Sequence, residues 1–328
     1  MSARLTLALS IPLLIAIIAS LLTGYVHIPA GALLHALFLG DAHDTATVIA
    51  REIRLPRMLL GVMVGATLGL SGAALQGLLR NPLAEPGILG VSSSAALGAV
   101  AVLYLGLAHR QPLILSGAAI LGAILSTALL FALARRVGTV GLVLSGIAIN
   151  SLMLALTTLA MSLSPNPYAL SEIVYWLMGS LKDKSLTDVA VTAPFVLIGG
   201  ALIAMAGRGL DALTLGEESA HSLGIPIGLL RLQVVGGIAL SVGACVAASG
   251  AIGFVGLVVP HLLRPFVGHR PSQLLLLSAI GGALLLTCAD LFVRVMPVTP
   301  ELLLGVVTAF IGAPFFLYVI RRGGFAAS

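Results

Sequence analysis

Long apolar runs separated by short polar segments dominate this chain of 328 residues. An α-helix needs about 20 apolar residues to cross the hydrocarbon core of a bilayer. The runs are continuous rather than alternating, which favours helices over the strands of a membrane β-barrel. The sequence therefore predicts an all-α integral membrane protein, with residues 1–328 forming one transmembrane domain. About ten spans are predicted, at 5–24, 58–78, 88–107, 113–134, 141–163, 188–207, 230–249, 252–267, 272–293 and 302–320.

Two of these runs are irregular. The run at 252–267 is short and contains Pro260 and Pro265. The segment Asn81-Pro-Leu-Ala-Glu-Pro-Gly87 breaks the helix after the second run, and two interpretations stay open. It lines a pathway, or it simply re-enters the bundle, because irregular backbone at membrane depth is tolerated in either setting. The first run is predicted to be a retained span rather than a signal peptide, because no clear small-residue cleavage site follows it.

Composition agrees with a membrane location. The chain is 59% hydrophobic and 9% charged, with a mean hydropathy of +1.14, whereas soluble domains carry about 25% charged residues. Its 38 glycines allow helices to approach closely. The basic residues are scattered, without an aromatic-basic stripe, which argues against a nucleic-acid partner. Cys245 and Cys288 lie far apart in apolar runs, which favours buried free thiols over a disulfide or a metal site.

The distribution of lysine and arginine predicts the orientation. With the N-terminus in the cytoplasm, ten of the 17 Lys and Arg residues fall inside and seven outside, as the positive-inside bias requires. Ten spans then place the C-terminus in the cytoplasm too. The exceptions gather at residues 51–57 and at Arg294, which indicates a functional use for external arginines.

The predicted cytoplasmic segment 208–229 contains a short helix at about 216–224. Glu217 and Glu218 suit its first turn, where the helix dipole favours acids. Gly224 suits the position just past its end, and Pro226 prevents continuation. A short capped helix outside the bilayer needs a surface to lie on, which indicates an attached partner. The external segment 164–187 is also predicted to be partly helical, with Tyr175 and Trp176 at the interface.

Enzyme signatures are missing from the sequence. It contains no His-Glu-x-x-His, Gly-x-Ser-x-Gly or Gly-x4-Gly-Lys-Ser/Thr motif, so we expect no catalytic residues and ATP hydrolysis only in a separate chain. Ser92, Ser93 and Ser94 are predicted to pack between helices. His261, beside two prolines, is predicted to have a structural role at a helix break rather than to bind metal. An intramembrane hydrolase is disfavoured because no nucleophile–base pair is recognisable.

Carboxylates are rare in the apolar runs. Proton- or sodium-coupled carriers usually place a carboxylate deep in a span. The sequence predicts none there, so a secondary carrier acting alone is the weaker alternative. The candidates all fall near span ends: Glu85, Asp188, Asp290 and Glu301.

Seven segments, taken in order from about residue 50 to 320, resemble the permeases of type II ABC importers for iron chelates (haem and ferric siderophores) and cobalamin. The resemblance implies a homodimer of ten-span subunits around a central pathway in a bacterial inner membrane of the Gram-negative type. Two copies of a cytoplasmic ABC ATPase and a periplasmic substrate-binding protein are the implied partners, with no cofactor. The segments are RLPR, SGAALQGLLRNPLAEPGILGVSS, LSGIAIN, LGEESAHSLGI, SGAIGFVGLVVPHLLR, ADLFVR and LGVVTAFIGAPFF.

The resemblance also implies roles for individual residues. Arg54, Arg57 and Arg294 match positions that receive acidic residues of the binding protein. Thr139 matches an inner gate, and the fifth and tenth spans line the pathway, making Ser145, Asn150 and Thr308 candidates. Lys182-Asp-Lys184 departs from the family pattern by adding charge to an external loop. The segment matching the helix that couples to the ATPase comprises Glu217, Glu218, Ser219, Ala220, His221, Ser222, Leu223 and Gly224.

The implied mechanism is alternating access, driven by ATP hydrolysis in the partner chain. An iron chelate is the first expectation for the substrate, with haem and siderophore not distinguished. Cobalamin is the alternative within the same family.

Overall fold

The structure is a computed structural model that describes residues 2–41, 43–108, 112–134, 138–298 and 300–321. These residues are predominantly helical and contain no β-strand. Fifteen α-helices occur among them: α1 Ser2–Leu22, α2 Ala30–Phe38, α3 Thr45–Val48, α4 Leu55–Leu79, α5 Val91–Tyr104, α6 Pro112–Ala134, α7 Gly138–Ser162, α8 Pro167–Leu177, α9 Leu186–Met205, α10 Gly207–Leu213, α11 Glu217–Ser222, α12 Ile227–Ser249, α13 Val255–Leu263, α14 Pro271–Val295 and α15 Leu304–Arg321.

Within the described ranges, seven helical segments are long and apolar enough to cross a membrane. One of them, Thr45–Leu79, is continuous because a π-helical segment, Ile49–Arg54, joins α3 to α4. Three shorter apolar helices, Val91–Tyr104, Val255–Val267 and Leu304–Tyr318, complete the set. These segments match the ten predicted runs in order, so the prediction of an all-α membrane protein with about ten spans is confirmed.

Two of the short helices begin inside the bundle. The 14 residues of α5 rise only about 21 Å, less than the hydrocarbon core of about 30 Å. Loops complete these crossings: 80–90 before α5 and 250–254 before α13. A Cβ on Gly256 would contact the Leu68 carbonyl and the ring of Pro86, and Leu68 lies midway along α4. The two loops therefore meet near the centre of the bundle, and the segment 81–87 re-enters it, one of the two interpretations left open.

Glycine makes the closest helix pair possible. Gly65 and Gly69 on α4 face α14, and a Cβ on either would collide with the backbone of Gly282 or Ser278. The helices can approach to this distance only because no side chain separates their backbones. The core of the described chain is built around α4, α12 and α14, with α12 also packed on α6 and α9.

Side-chain contacts define two ends of the bundle. The short helix α11 lies beside Thr139 at the start of α7, and we call this the α11 end. Ser20 near the end of α1 contacts Arg294 near the end of α14, and we call this the arginine end. The predicted external helix is present as α8, and it lies in the 164–187 connection.

The predicted short helix is present as α11, and its end has the expected geometry. Gly224 adopts φ +82°, its N–H donates to the His221 carbonyl at 2.9 Å, and the Ile225 N–H donates to the Ala220 carbonyl at 3.0 Å. This pair of bonds is a Schellman motif, which glycine permits because it has no Cβ. The sequence signal at Gly224 and Pro226 therefore located the end of the helix correctly.

Candidate functional site

The three arginines predicted to meet a binding protein lie together at the arginine end, where they line one cavity of about 190 Å³. Arg57 Nε donates to Asp290 Oδ1 at 2.9 Å, and Arg57 Nη2 donates to Glu301 Oε2 at 3.1 Å. The side chain of Arg57 is 11% exposed and that of Asp290 is 4% exposed. These are buried ion pairs that connect α4 to α14 and to the segment before α15.

The other two arginines hold α1 in place. Arg294 pairs with Asp290 and also donates to the Ser20 carbonyl at 2.9 Å. Arg54 has no carboxylate partner among the described residues. Its guanidinium donates to the carbonyls of Leu21 at 2.8 Å and Leu22 at 3.0 Å. Because α1 ends at Leu22, Arg54 satisfies carbonyls that the last helical turn leaves without a partner.

Arg54, Arg57 and Arg294 thus lie together, and all three side chains are bonded within the chain. Arg54 and Arg57 are buried, and the side chain of Arg294 is 5% exposed. Two positive charges of the cluster are balanced by Asp290 and Glu301. The binding-protein role of the three arginines stays a prediction. The more exposed cations at this end of the described chain are Lys182 and the half-exposed Arg51.

A second cluster joins α11 to two long helices at the opposite end. Thr139 Oγ1 donates to Glu217 Oε1 at 2.6 Å. Arg231, in the first turns of α12, donates to Glu217 at 2.9 and 3.0 Å and to Thr139 Oγ1 at 2.7 Å. The hydrogen bond from Thr139, followed by the interactions with Arg231, lowers the pKa of the Glu217 carboxyl. The predicted gate residue and the predicted coupling helix are therefore in direct contact.

The two sides of α11 differ sharply. Ala220 is fully buried in the core of its own chain, whereas Leu223 is 63% exposed and the preceding Leu215 is 66% exposed. Apart from Ala220 and the half-buried Glu217, the remaining predicted coupling residues are also exposed: Glu218, Ser219, His221, Ser222 and Gly224. The face available to a partner is therefore the one that carries Leu215 and Leu223, and Ala220 is excluded from it.

The predicted pathway residues have unequal surroundings. Ser145 and Asn150 on α7 are half-buried, and Asn150 lies beside Gly90 of the re-entrant loop. Thr308 on α15 is only 3% exposed and donates to the Gly305 carbonyl at 3.0 Å. Its hydroxyl therefore bonds to its own helix in this structure, and the role of Thr308 in lining a pathway stays a prediction.

One carboxylate lies deeper than the sequence suggested. Glu85 shares a cavity of about 150 Å³ with Leu68, the midpoint of α4, and with Phe254. The prediction that no carboxylate lies at membrane depth is therefore wrong, because the loop carrying Glu85 folds back into the bundle. Carboxylate positions therefore no longer disfavour a secondary carrier.

His261 packs edge-on against Phe315 of α15, with ring centroids 5.8 Å apart. No group of three or more His, Cys, Asp or Glu side chains suited to a metal occurs among the described residues. Cys245 and Cys288 are both free thiols. The structural role predicted for His261 agrees with this packing.

Several partners in these clusters were not assigned from sequence. Asp290 and Arg294 are separated by four residues on one helix, a spacing typical of an ion pair, so this contact had a visible signal. The contact of Arg231 with Thr139 had no sequence signal, because Thr139 lies 92 positions earlier and only the fold brings the two together. The same holds for Glu301, which meets Arg57 across 244 positions.

Comparison with known proteins identifies the family. The FecCD transport family matches residues 12–322. The chain is 45% identical over 280 residues to the vitamin B12 import system permease protein BtuC of Vibrio cholerae, covering 83% of this chain and 82% of that protein. It is 37% identical over 289 residues to the Fe(3+)-citrate import system permease protein YfmD of Bacillus subtilis, covering 88% and 85%.

A solved structure agrees with these sequence matches. A metal-chelate type ABC transporter in an inward-facing conformation aligns with a TM-score of 0.85 and 30% identity, over 98% of this chain and 100% of that chain. Both the order of the ten apolar helices and the sequence thus follow one family. The chain belongs to the FecCD transport family and is a multi-pass membrane permease of a type II ABC importer.

Proposed function

We propose that this chain is the transmembrane subunit of an ATP-driven importer in a bacterial inner membrane, working by alternating access. One observation carries the mechanism: Glu217 of α11 is bonded to Thr139 of α7 and to Arg231 of α12. A movement imposed on α11 would act directly on two membrane-spanning helices. Residues 1–328 would serve as one permease domain, with both termini in the cytoplasm.

The partners in this proposal follow from the two ends of the bundle. Two copies of a cytoplasmic ATPase would bind at the α11 end, against the exposed face formed by Leu215 and Leu223. A periplasmic substrate-binding protein would bind at the arginine end. There the buried ion pairs of Arg57 and Arg294 would hold the surface rigid, while Lys182 and Arg51 present positive charge to an acidic partner.

A homodimer with a central pathway is supported by the outer faces of two helices. On α7, Leu144 is 60% exposed and Leu152 is 52% exposed. On α15, Phe310 is 77% exposed and Leu317 is 66% exposed. A pathway between two copies of these helices would be mostly apolar, which suits passage of a bulky chelate without tight binding. The half-buried Ser145 and Asn150 would supply its polar groups.

Cobalamin is the substrate that we favour. The relative named for vitamin B12 import is 45% identical to this chain, whereas the relative named for Fe(3+)-citrate import is 37% identical. We therefore propose cobalamin in preference to the iron chelate expected from the sequence alone. An iron chelate remains the second candidate, supported by the structural likeness to a metal-chelate transporter.

Uptake measured with the reconstituted importer distinguishes these substrates. Proteoliposomes carrying the permease, its ATPase and its binding protein should accumulate labelled cyanocobalamin when ATP is inside. Labelled ferric citrate, haem and a ferric hydroxamate siderophore should compete poorly. Accumulation of an iron chelate with no uptake of cobalamin would reverse the assignment of substrate and leave the importer mechanism intact.

A further inference from the structure

A basic cleft opens at the α11 end, apart from the clusters described above. It has a volume of about 620 Å³ and is lined by Gln76 and Arg80 from the end of α4, and by His261, Arg264 and His269 from α13 and the turns that follow. The cleft therefore gathers two arginines and two histidines from segments that are distant in sequence.

The two arginines of the cleft have no acidic partner among the residues that the structure describes. None of the 12 Asp and Glu residues of the chain lines the cleft, and neither Arg80 nor Arg264 forms an ion pair with a described residue. The nearby Asp211 is occupied, because it accepts bonds from Ser272 N at 2.8 Å and Ser272 Oγ at 2.6 Å. The Glu217 carboxylate is bonded to Thr139 and Arg231. Arg80 interacts with it electrostatically but forms no hydrogen bond or ion pair with it.

The Arg264 guanidinium is held in position by one hydrogen bond, and some of its N–H groups have no partner among the described residues. One of its terminal nitrogens donates to Gln76 Oε1. Gln76 is fully buried and is fixed in turn by a bond from its amide nitrogen to the Gly256 carbonyl at 3.4 Å. The Nε of Arg264 is buried without a partner among the described groups. An oriented guanidinium with free donors suits a phosphate oxygen.

The position of the cleft along the membrane helices indicates which kind of molecule supplies the phosphate. Gln76 belongs to the last turn of α4, and His261 belongs to an apolar helix, which indicates a cleft near the end of the membrane-spanning segments. In the same segment, Leu262 is 51% exposed and Phe266 is 57% exposed. Basic pockets between membrane helices at this depth accept phospholipid head groups, and neighbouring exposed apolar side chains can contact acyl chains.

We propose that Arg80, Arg264, His261 and His269 form a phosphate-binding site that is occupied by the head group of an anionic phospholipid. The lipid would neutralise the unpaired charge of the cleft and bridge α4 to the segment joining α13 and α14.

Native mass spectrometry of the delipidated full-length protein with phosphatidylglycerol or phosphatidylcholine tests the site. Phosphatidylglycerol should bind in preference to phosphatidylcholine, and Arg80→Gln and Arg264→Gln should each weaken it by about fivefold. Arg80 is exposed, so Arg80→Gln keeps the test valid if loss of the Arg264–Gln76 bond impairs folding. Arg208→Gln, an exposed arginine at the same end outside the cleft, should bind phosphatidylglycerol as the unmodified protein does.

A parallel titration with inorganic phosphate separates the two sources of the group. Thermal stabilisation by inorganic phosphate that Arg80→Gln abolishes, without any preference for phosphatidylglycerol, would assign the site to a soluble phosphate and overturn its occupation by lipid. Unchanged phosphatidylglycerol binding in Arg80→Gln, or an equal loss in Arg208→Gln, would overturn the site itself.

Discussion

At the scale of single residues, the arginines at 54, 57 and 294 show how a sequence signal can be correct about position and incomplete about chemistry. Charge counting singled them out because arginine at the outer end of a span is costly unless something uses it. In the structure the arginines have partners within the chain. Arg57 pairs with Asp290 and Glu301, and Arg54 donates to the carbonyls at the end of α1. These partners could not be identified from the pattern, because contacts between residues that are distant in sequence depend on the fold: Arg57 meets Asp290 across 233 positions.

Replacement of Arg57 should therefore destabilise the permease itself. Arg57→Gln leaves Glu301 without its cation and Asp290 with Arg294 alone, and loss of one partner from a buried ion pair typically costs about 3–5 kcal/mol. We expect a lower melting temperature for the purified protein in detergent. Lys182→Gln removes an exposed charge and should leave the melting temperature unchanged. It should weaken the affinity of the permease for the binding protein, and that loss should depend on salt concentration. Equal stability of the two variants would contradict the structural role of Arg57.

The Thr139–Glu217–Arg231 cluster leads to a second prediction at this scale. Glu217→Gln and Arg231→Gln should each reduce stimulation of the ATPase by the loaded binding protein. The double variant should be no worse than either single one, because both remove the same interaction. Glu218→Gln, which changes the neighbouring exposed acid, is the matched control and should behave normally. Additive losses in the double variant would show that the two residues act separately.

The same cluster should be insensitive to pH near neutrality. The pKa of Glu217 is lowered by Thr139 and Arg231. The stabilisation from a carboxylate with a lowered pKa is fully present above its ordinary value of about 4.3 and is lost only as the pH falls through the lowered folded value. ATPase stimulation should therefore show no transition assignable to Glu217 between about pH 6 and pH 8, and Glu217→Gln should not alter the shape of that profile. A transition in that range that disappears in Glu217→Gln would be inconsistent with the geometry.

At the scale of elements, helix positions were predictable because length and hydropathy are local properties of the chain. The end of α11 was predictable for the same reason, since Gly224 and Pro226 specify it chemically. The depth of Glu85 was not, because a break between two apolar runs does not reveal whether the loop leaves the bilayer or folds back. The inward turn of Thr308 was equally hidden, because a helix can present a hydroxyl to a pathway or to its own backbone.

The two sides of α11 lead to opposite expectations for two substitutions. Ala220 is fully buried in its own chain, so Ala220→Leu should overpack the core and lower stability by about 1–3 kcal/mol. Leu223 is exposed, so Leu223→Asp should preserve the melting temperature and lose ATPase binding or coupling. Thermal unfolding and co-purification with the ATPase measure the two effects. An unstable Leu223→Asp protein, or a stable one with normal coupled uptake, would refute the assignment of the docking face.

At the scale of the whole molecule, the family and the fold both identify a permease, and the mechanism that we propose takes its energy from another chain. Because Glu85 lies deep in the bundle, scarcity of deep carboxylates no longer argues against a gradient-driven carrier. What supports the importer instead is a short helix that presents an apolar face outward and bonds Thr139 and Arg231 inward.

The most direct test of this account is the energy source for uptake in proteoliposomes. The permease reconstituted with its ATPase and binding protein should accumulate substrate only when ATP is present. A partner ATPase that binds but cannot hydrolyse ATP should abolish accumulation, and collapse of the proton and sodium gradients should leave it unchanged. Uptake by the permease alone, driven by a proton or sodium gradient in the absence of ATP, would contradict the account.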